Sequence, residues 1–125
     1  GLGKTVSDFF ANDDEAQVVF TNDDYFEKID LELNNKIEWI IPNAQKNIME
    51  PIHLTLEPGG STYPDNPHGG EEFGYVQKGE ITIYIGNKIY IAKEGESFYY
   101  TPNKKHHISS QSGANILWVS SPPSF

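Results

Sequence analysis

Two short stretches of this 125-residue chain concentrate the side chains that could do chemistry. In the first, Asn66-Pro67-His68-Gly69-Gly70-Glu71-Glu72, an imidazole stands four residues before a carboxylate. In the second, Thr101-Pro102-Asn103-Lys104-Lys105-His106-His107, two adjacent imidazoles follow two lysines. Imidazole and carboxylate are the ordinary ligands of zinc and of the first-row transition metals. There is no cysteine. Thiolate chemistry and disulfides are therefore excluded, and any metal site must use His, Asp, Glu or backbone oxygen. The plainer reading of His68 and Glu72 is a buried polar pair kept because the fold satisfies it. The plainer reading of His106 and His107 is a pair of exposed polar residues at a strand start. Gly69-Gly70 reads as a tight turn, since no helix follows that would make it a phosphate cradle.

The segments that must position these residues read as strands. Ile52, Leu54 and Leu56 alternate with His53 and Thr55, so His53 faces away from its apolar neighbours. Glu57-Pro58-Gly59-Gly60 ends that strand. Ile81, Ile83 and Ile85 alternate with Thr82 and Tyr84, Gly86-Asn87 forms a two-residue turn, and Lys88 to Ala92 runs back. Glycine first in such a loop predicts a type II′ hairpin. Val18-Val19-Phe20 and Ile37 to Ile41 are further β-rich runs, and more strands are expected near 97–101, 106–110 and 114–120. The aromatic set Phe98, Tyr99, Tyr100 and Trp118 is expected to pack the interior. Many short strands with Gly, Pro and Asn breaks predict an all-β sandwich or barrel.

Residues 1–15 read differently. Residues 1–11 are expected to form a short helix, with Thr5 able to cap it and Asp8 able to reach back. Asn12-Asp13-Asp14-Glu15 is a polar break, so the organisation expected is a helical remnant or linker over 1–15 and a β domain over 16–125. The only methionine is Met49 and the chain opens on Gly1, which points to a processed or excised piece with sequence upstream.

Charge excludes one class of function. The formal net charge is −9, the nine positive residues are all lysines, and the first 32 residues carry nine acids against two lysines. Such a surface repels polyanions, lacks the cations that displace phosphate counterions, and lacks arginine forks for base edges. No direct nucleic-acid contact and no membrane association are expected of this domain. No apolar run approaches the roughly 20 residues of a membrane span, and no leader is evident.

The segment from Asn66 to Glu80 resembles the first cupin motif, and Gly95 to His107 resembles the second. The run His68-Gly69-Gly70-Glu71-Glu72-Phe73-Gly74-Tyr75-Val76 and the closing Trp118 to Phe125 resemble, more narrowly, the cupin domain downstream of a helix-turn-helix in bacterial (XRE-type) transcriptional regulators. The resemblance implies a cupin double-stranded β-helix, an antiparallel jelly-roll barrel, preceded by a short N-terminal helix. It also implies a metal site of two His and one Glu from the first motif and one His from the second. Here the first His position falls on Asn66, His68 matches the second, and Glu72 matches the Glu. An ungapped match places the last ligand on His106; anchoring on Pro102 selects His107 instead. With His106, strand alternation also turns Ile108 and Ser110 inward.

The implied set His68, Glu72 and His106 leaves coordination positions open, as in non-haem Fe(II) oxygenases, and could equally hold Zn, Ni or Mn. Hydroxypropylphosphonate epoxidase, which joins a helix-turn-helix to a cupin, is similar. Three functions follow as expectations. The first is an effector-sensing and dimerisation domain of a cytoplasmic bacterial regulator. It would bind a small molecule, a divalent metal ion or both, form a homodimer, and reach DNA only through an upstream helix-turn-helix. The second is a mononuclear non-haem metal enzyme of the oxygenase or epoxidase kind. With no arginine, Lys104, Lys105 or backbone would have to hold an acidic substrate. The third is a dimerisation domain without ligand.

Overall fold

A computed structural model describes residues 16–125; the helix expected over 1–11 and the linker over 1–15 lie outside the described residues. The described residues form strands β1 (Phe26–Asp30), β2 (Asn35–Trp39), β3 (Glu50–Leu56), β4 (Gly60–Ser61), β5 (Glu71–Ile85), β6 (Lys88–Lys93), β7 (Ser97–Tyr100), β8 (His106–Ser110) and β9 (Ala114–Ser121). Two 3-10 turns, Asn22–Asp24 and Ala44–Lys46, complete them. All the strand pairings are antiparallel.

The larger sheet runs β1-β2-β3-β9-β5-β7 and the smaller one β6-β5-β8-β4. β5 belongs to both. Its first half pairs with β9 and β7, and its second half with β6 and β8. The pairing with β9 shifts between Val76 and Lys78, and Gly79 follows at φ +82°. A bulge bends its strand and increases local twist. A side chain at Gly79 would meet the Gly113 carbonyl oxygen, so only glycine fits both the angle and the space. The bend folds one sheet over the other and makes the barrel.

Alternation fills that barrel. β3 and β9 bury every second residue along their whole length. Ile52, Leu54, Ile116, Trp118, Val76, Ile81, Ile83 and Ile108 form one apolar cluster. Burying each such side chain is worth about 1.5–3 kcal/mol, which fixes the register: a one-residue slip would turn the set to water.

The antiparallel β-barrel and the β5–β6 hairpin appear as expected. Gly86 sits at φ +60°, and Asn87 is not among the positive-φ residues, as a type II′ turn requires. Other details differ. Val18-Val19-Phe20 forms no strand, and Val18 and Val19 are exposed; β-rich composition needs a partner strand, and none among the described residues pairs there. The run expected over 37–41 is displaced to Asn35–Trp39, because Asn35 pairs with Leu56 and Trp39 with Ile52. Tyr99 points outward and is exposed, whereas Tyr100 and Trp118 are buried. Neither 3-10 turn was anticipated.

Candidate metal centre

Three elements converge inside one end of the barrel. Glu72 enters from β5, where it lies opposite Tyr100 on one side and Ser120 on the other; Ser120 in turn pairs with Glu50. Tyr100, Glu72, Ser120 and Glu50 thus make an inward polar row across four strands, and all four are buried. His106 enters from β8 in the opposite sheet, beside Ile85 of β5. His68 comes from the loop before β5, its backbone N–H donating to the Pro102 carbonyl at 2.8 Å.

His68 Nε2 lies 3.1 Å and His106 Nε2 3.5 Å from the same oxygen, Glu72 Oε2. One ligand atom from each of the three residues falls within 4.8 Å of the others. Two ligands about 2.1 Å from one metal ion and at tetrahedral or right angles stand about 3.0–3.4 Å apart; the His68–Glu72 spacing falls in that window and the His106–Glu72 spacing just outside it.

Hydrogen bonding on the far sides of the three groups explains which atoms are left over. His106 Nδ1 lies 2.8 Å from the Lys104 carbonyl, and His68 Nδ1 lies 3.0 Å from the Gly69 carbonyl. A carbonyl only accepts, so each Nδ1 carries the hydrogen and each Nε2 presents a lone pair. Glu72 Oε1 accepts from the Tyr100 hydroxyl at 2.6 Å and from Trp118 Nε1 at 3.1 Å. That leaves Glu72 Oε2, His68 Nε2 and His106 Nε2 buried without a hydrogen-bond partner among the described residues. Three lone-pair atoms facing one another repel unless something positive stands between them, either a proton or a metal ion.

The protonation tendencies follow. Burial raises the Glu72 pKa, but the facing His106 imidazole and the hydrogen bond from Tyr100 outweigh it and hold the carboxyl below its ordinary value. Burial lowers that of His106, but Glu72 outweighs it and the imidazole is raised. Tyr100 is pushed well up by burial and by the Glu72 charge, so it stays a hydroxyl donor.

The residues expected to matter separate clearly. The structure brings His68, Glu72 and His106 together. His107 faces the other way and stacks on Tyr84, with centroids 4.3 Å apart and planes 7° apart. Asn66 is exposed. His53 sits on the outer face, 3.2 Å from Glu38. Ile108 and Ser110 point inward as expected. Lys104 and Lys105, which the enzyme reading offered beside backbone for an acidic substrate, are exposed. The lysine that lines the cavity beside the site is Lys28, itself exposed, which β1 places in register with Ile37 and Leu54. That cavity, of about 160 Å³, is also lined by Ile52, Asp65, Trp118 and Phe125, so it reaches from β1 to the indole that holds Glu72.

Two acids escaped the sequence reading. Asp65 lies with its Oδ2 3.7 Å from His106 Nε2; its only signal was adjacency to the motif position at Asn66. Glu50 is buried, and its Oε1 accepts from the backbone N–H of Ser124 at 3.0 Å and of Phe125 at 2.8 Å. Its signal was an acid beginning an otherwise apolar inward row. The clamp holds Phe125 against Trp118, with ring centroids 5.0 Å apart.

Comparison with known proteins agrees with this architecture. The family described as Cupin_2: Cupin domain matches residues 52–121. The chain belongs to the cupin family. It is 30% identical over 129 aligned positions to the HTH-type transcriptional regulator PuuR of Escherichia coli (strain K12), covering 98% of this chain and 68% of that protein. Among solved structures, this cupin is similar to the Cupin_2 domain of an XRE family transcriptional regulator from Enterobacter cloacae, with a TM-score of 0.64 and 16% identity over 73% of this chain and 99% of that one. It is also similar to FeII HppE, with a TM-score of 0.72 and 15% identity over 86% of this chain and 60% of that one. At such identities these two structures speak for the fold.

Proposed function

We propose that this cupin domain senses a small molecule through a divalent cation held by His68, Glu72 and His106, as the regulatory half of a bacterial DNA-binding transcriptional regulator. The observation that carries the reading is the convergence of three buried, unpartnered lone-pair atoms beside an interior cavity. Similarity to PuuR over nearly the whole chain supports a regulatory role. The net charge of −9 fits DNA contact made by an upstream helix-turn-helix. The cation would be Zn, Fe, Ni or Mn, bound by two imidazoles and a carboxylate with positions left for an effector.

Regulation requires that the effector favour one of two states of the attached DNA-binding parts. A homodimer is the arrangement that would transmit it. Support comes from the outer face of the larger sheet, where Phe73, Tyr75 and Tyr99, with Met49 just before β3, are exposed together. The domain is proposed to act in the cytoplasm, where such a regulator meets DNA.

The test uses the full gene product. Operator-fragment binding is measured with and without chelator, for the natural protein and for Glu72→Gln. The expected result is DNA binding that responds to Mn(II) or Zn(II) in the natural protein and not in the variant. A gene product without a helix-turn-helix, consuming oxygen after anaerobic loading with Fe(II), would transfer the same site to the enzyme reading, which the open 2-His-1-carboxylate set favours.

A further inference from the structure

The geometry points to Asp65 as a fourth protein ligand of the same cation, standing in for the imidazole that the first motif lacks at Asn66. The inference rests on the cation site proposed above and deepens it. Asp65 and His106 form an isolated antiparallel bridge. The Asp65 N–H donates to the His106 carbonyl at 2.7 Å, and the His106 N–H donates to the Asp65 carbonyl at 3.1 Å. Residues directly opposite in such a bridge send their side chains to the same face, so the Asp65 carboxylate stands beside the imidazole that enters the barrel. The next residue along an extended chain points the other way, which is why Asn66 is left in water. The substitution is thus one position out of phase with the motif, and the strand pleat explains the offset.

Asp65 is built to move in. Its backbone is pinned, its carboxylate is half-exposed, and that carboxylate makes no hydrogen bond among the described residues. Oδ2 lies 3.7 Å from His106 Nε2 and outside the tight cluster of three. Rotation about the side-chain bonds alone would bring it toward the two unpartnered atoms Glu72 Oε2 and His106 Nε2. Two carboxylates and two neutral imidazoles carry the charge that a divalent ion cancels, and a mixed N/O set suits Mn(II), Fe(II) or Zn(II). Asp65 also lines the cavity that holds Lys28 and Trp118. The fourth ligand therefore sits where a bound small molecule would meet the ion.

The test is Mn(II) and Zn(II) titration of the purified chain, with Co(II) absorption as an independent report of the ligand set. Asp65→Ala and Asp65→Asn are expected to weaken binding by about 10-fold or more and to alter the Co(II) spectrum, while Asn66→Ala stays within about twofold of the natural chain. Because Asp65→Asn keeps size and backbone bonds, its cation-free melting should match the natural chain. Natural affinity and spectrum in both Asp65 variants, with binding abolished in Glu72→Gln, would overturn the Asp65 assignment and leave the three-residue site standing. Weakening by Asn66→Ala alone would also overturn it. Absence of binding by the natural chain would instead remove the cation reading on which it rests.

Discussion

Trp118 Nε1 donates to Glu72 Oε1 across neighbouring strands, 3.1 Å away and wholly buried. The bond reaches diagonally, because Glu72 pairs with Ser120 and Trp118 pairs with Gly74. Together with the Tyr100 hydroxyl it occupies one carboxylate oxygen and turns the other toward the two imidazoles. Trp118→Phe should keep the packing against Phe98 and Phe125 but lose this donor. A loss of about 1–3 kcal/mol is expected in denaturant melts. A drop of about 10–100-fold is expected in cation affinity, the range seen when an outer partner of a ligand is removed. Unchanged affinity in a folded variant would mean that Glu72 is oriented by the backbone alone.

The centre should respond to pH in opposite ways with and without a cation. Without one, His106 takes the proton onto Nε2 and becomes the positive partner of Glu72. Its folded pKa is raised, so its stabilising contribution is full below the unfolded imidazole value and is lost as pH rises through the folded one. The Glu72 pKa is lowered. Its contribution is present above the unfolded carboxyl value and lost as pH falls through the folded one. In chelator, the melting temperature should therefore be highest between the depressed Glu72 value and the raised His106 value, and should decline on the alkaline side. In saturating Mn(II) the alkaline decline should disappear, because the ion needs a bare Nε2. Melts from about pH 5 to 9, spanning the imidazole range, make the comparison. Parallel curves in the two conditions would count against a shared site.

Gly74 should tolerate no side chain. It pairs with Phe98 on one side and Trp118 on the other, and a Cβ there would clash with the edge of the Phe98 ring. Gly74→Ala is expected to push Phe98 off its edge contact with Trp118 and to cost about 1–3 kcal/mol from overpacking. Tryptophan fluorescence and denaturant melts read both effects. A change below that range would mean that β7 simply moves outward.

His53 provides the contrasting case. Its partner Glu38 lies on the outer face of the larger sheet, and both side chains are partly solvated. His53→Ala should cost no more than about 1 kcal/mol, as loss of a partly solvated polar contact does, and should leave cation titration unchanged. A loss of cation affinity would show that the outer face couples to the interior.

Much of this was legible in the sequence because alternation is a local signal. Ile52-His53-Leu54 states which side of β3 is wet, and Ile81 to Ile85 with Gly86-Asn87 states a hairpin and its turn. His68 and Glu72 could be paired because they share one short segment. The choice between His106 and His107 could not be made from spacing; it depends on which of them faces inward once Ile85 pairs with His106. Asp65, Glu50 and Lys28 were invisible for the same reason. Asp65 is placed by its bridge to His106, Glu50 by its pairing with Ser120 and the clamp on Ser124 and Phe125, and Lys28 by its register opposite Ile37, and single-residue chemistry carries no record of such partners. Val18-Val19-Phe20 is the reverse error, strand-forming residues that no neighbour among the described residues pairs.

β5 carries Glu72 near one end and Ile85, the partner of His106, at the other, with a single bulge between them. The strand is therefore a ruler for the centre, and its graduations are whole residues. Deleting one residue between the bulge and Ile81 would turn Ile81 and Ile83 to water and swing Thr82 and Tyr84 into the barrel. It would also slide His106 off its mark by a full step. Substitution can adjust this centre finely, but insertion and deletion in β5 cannot.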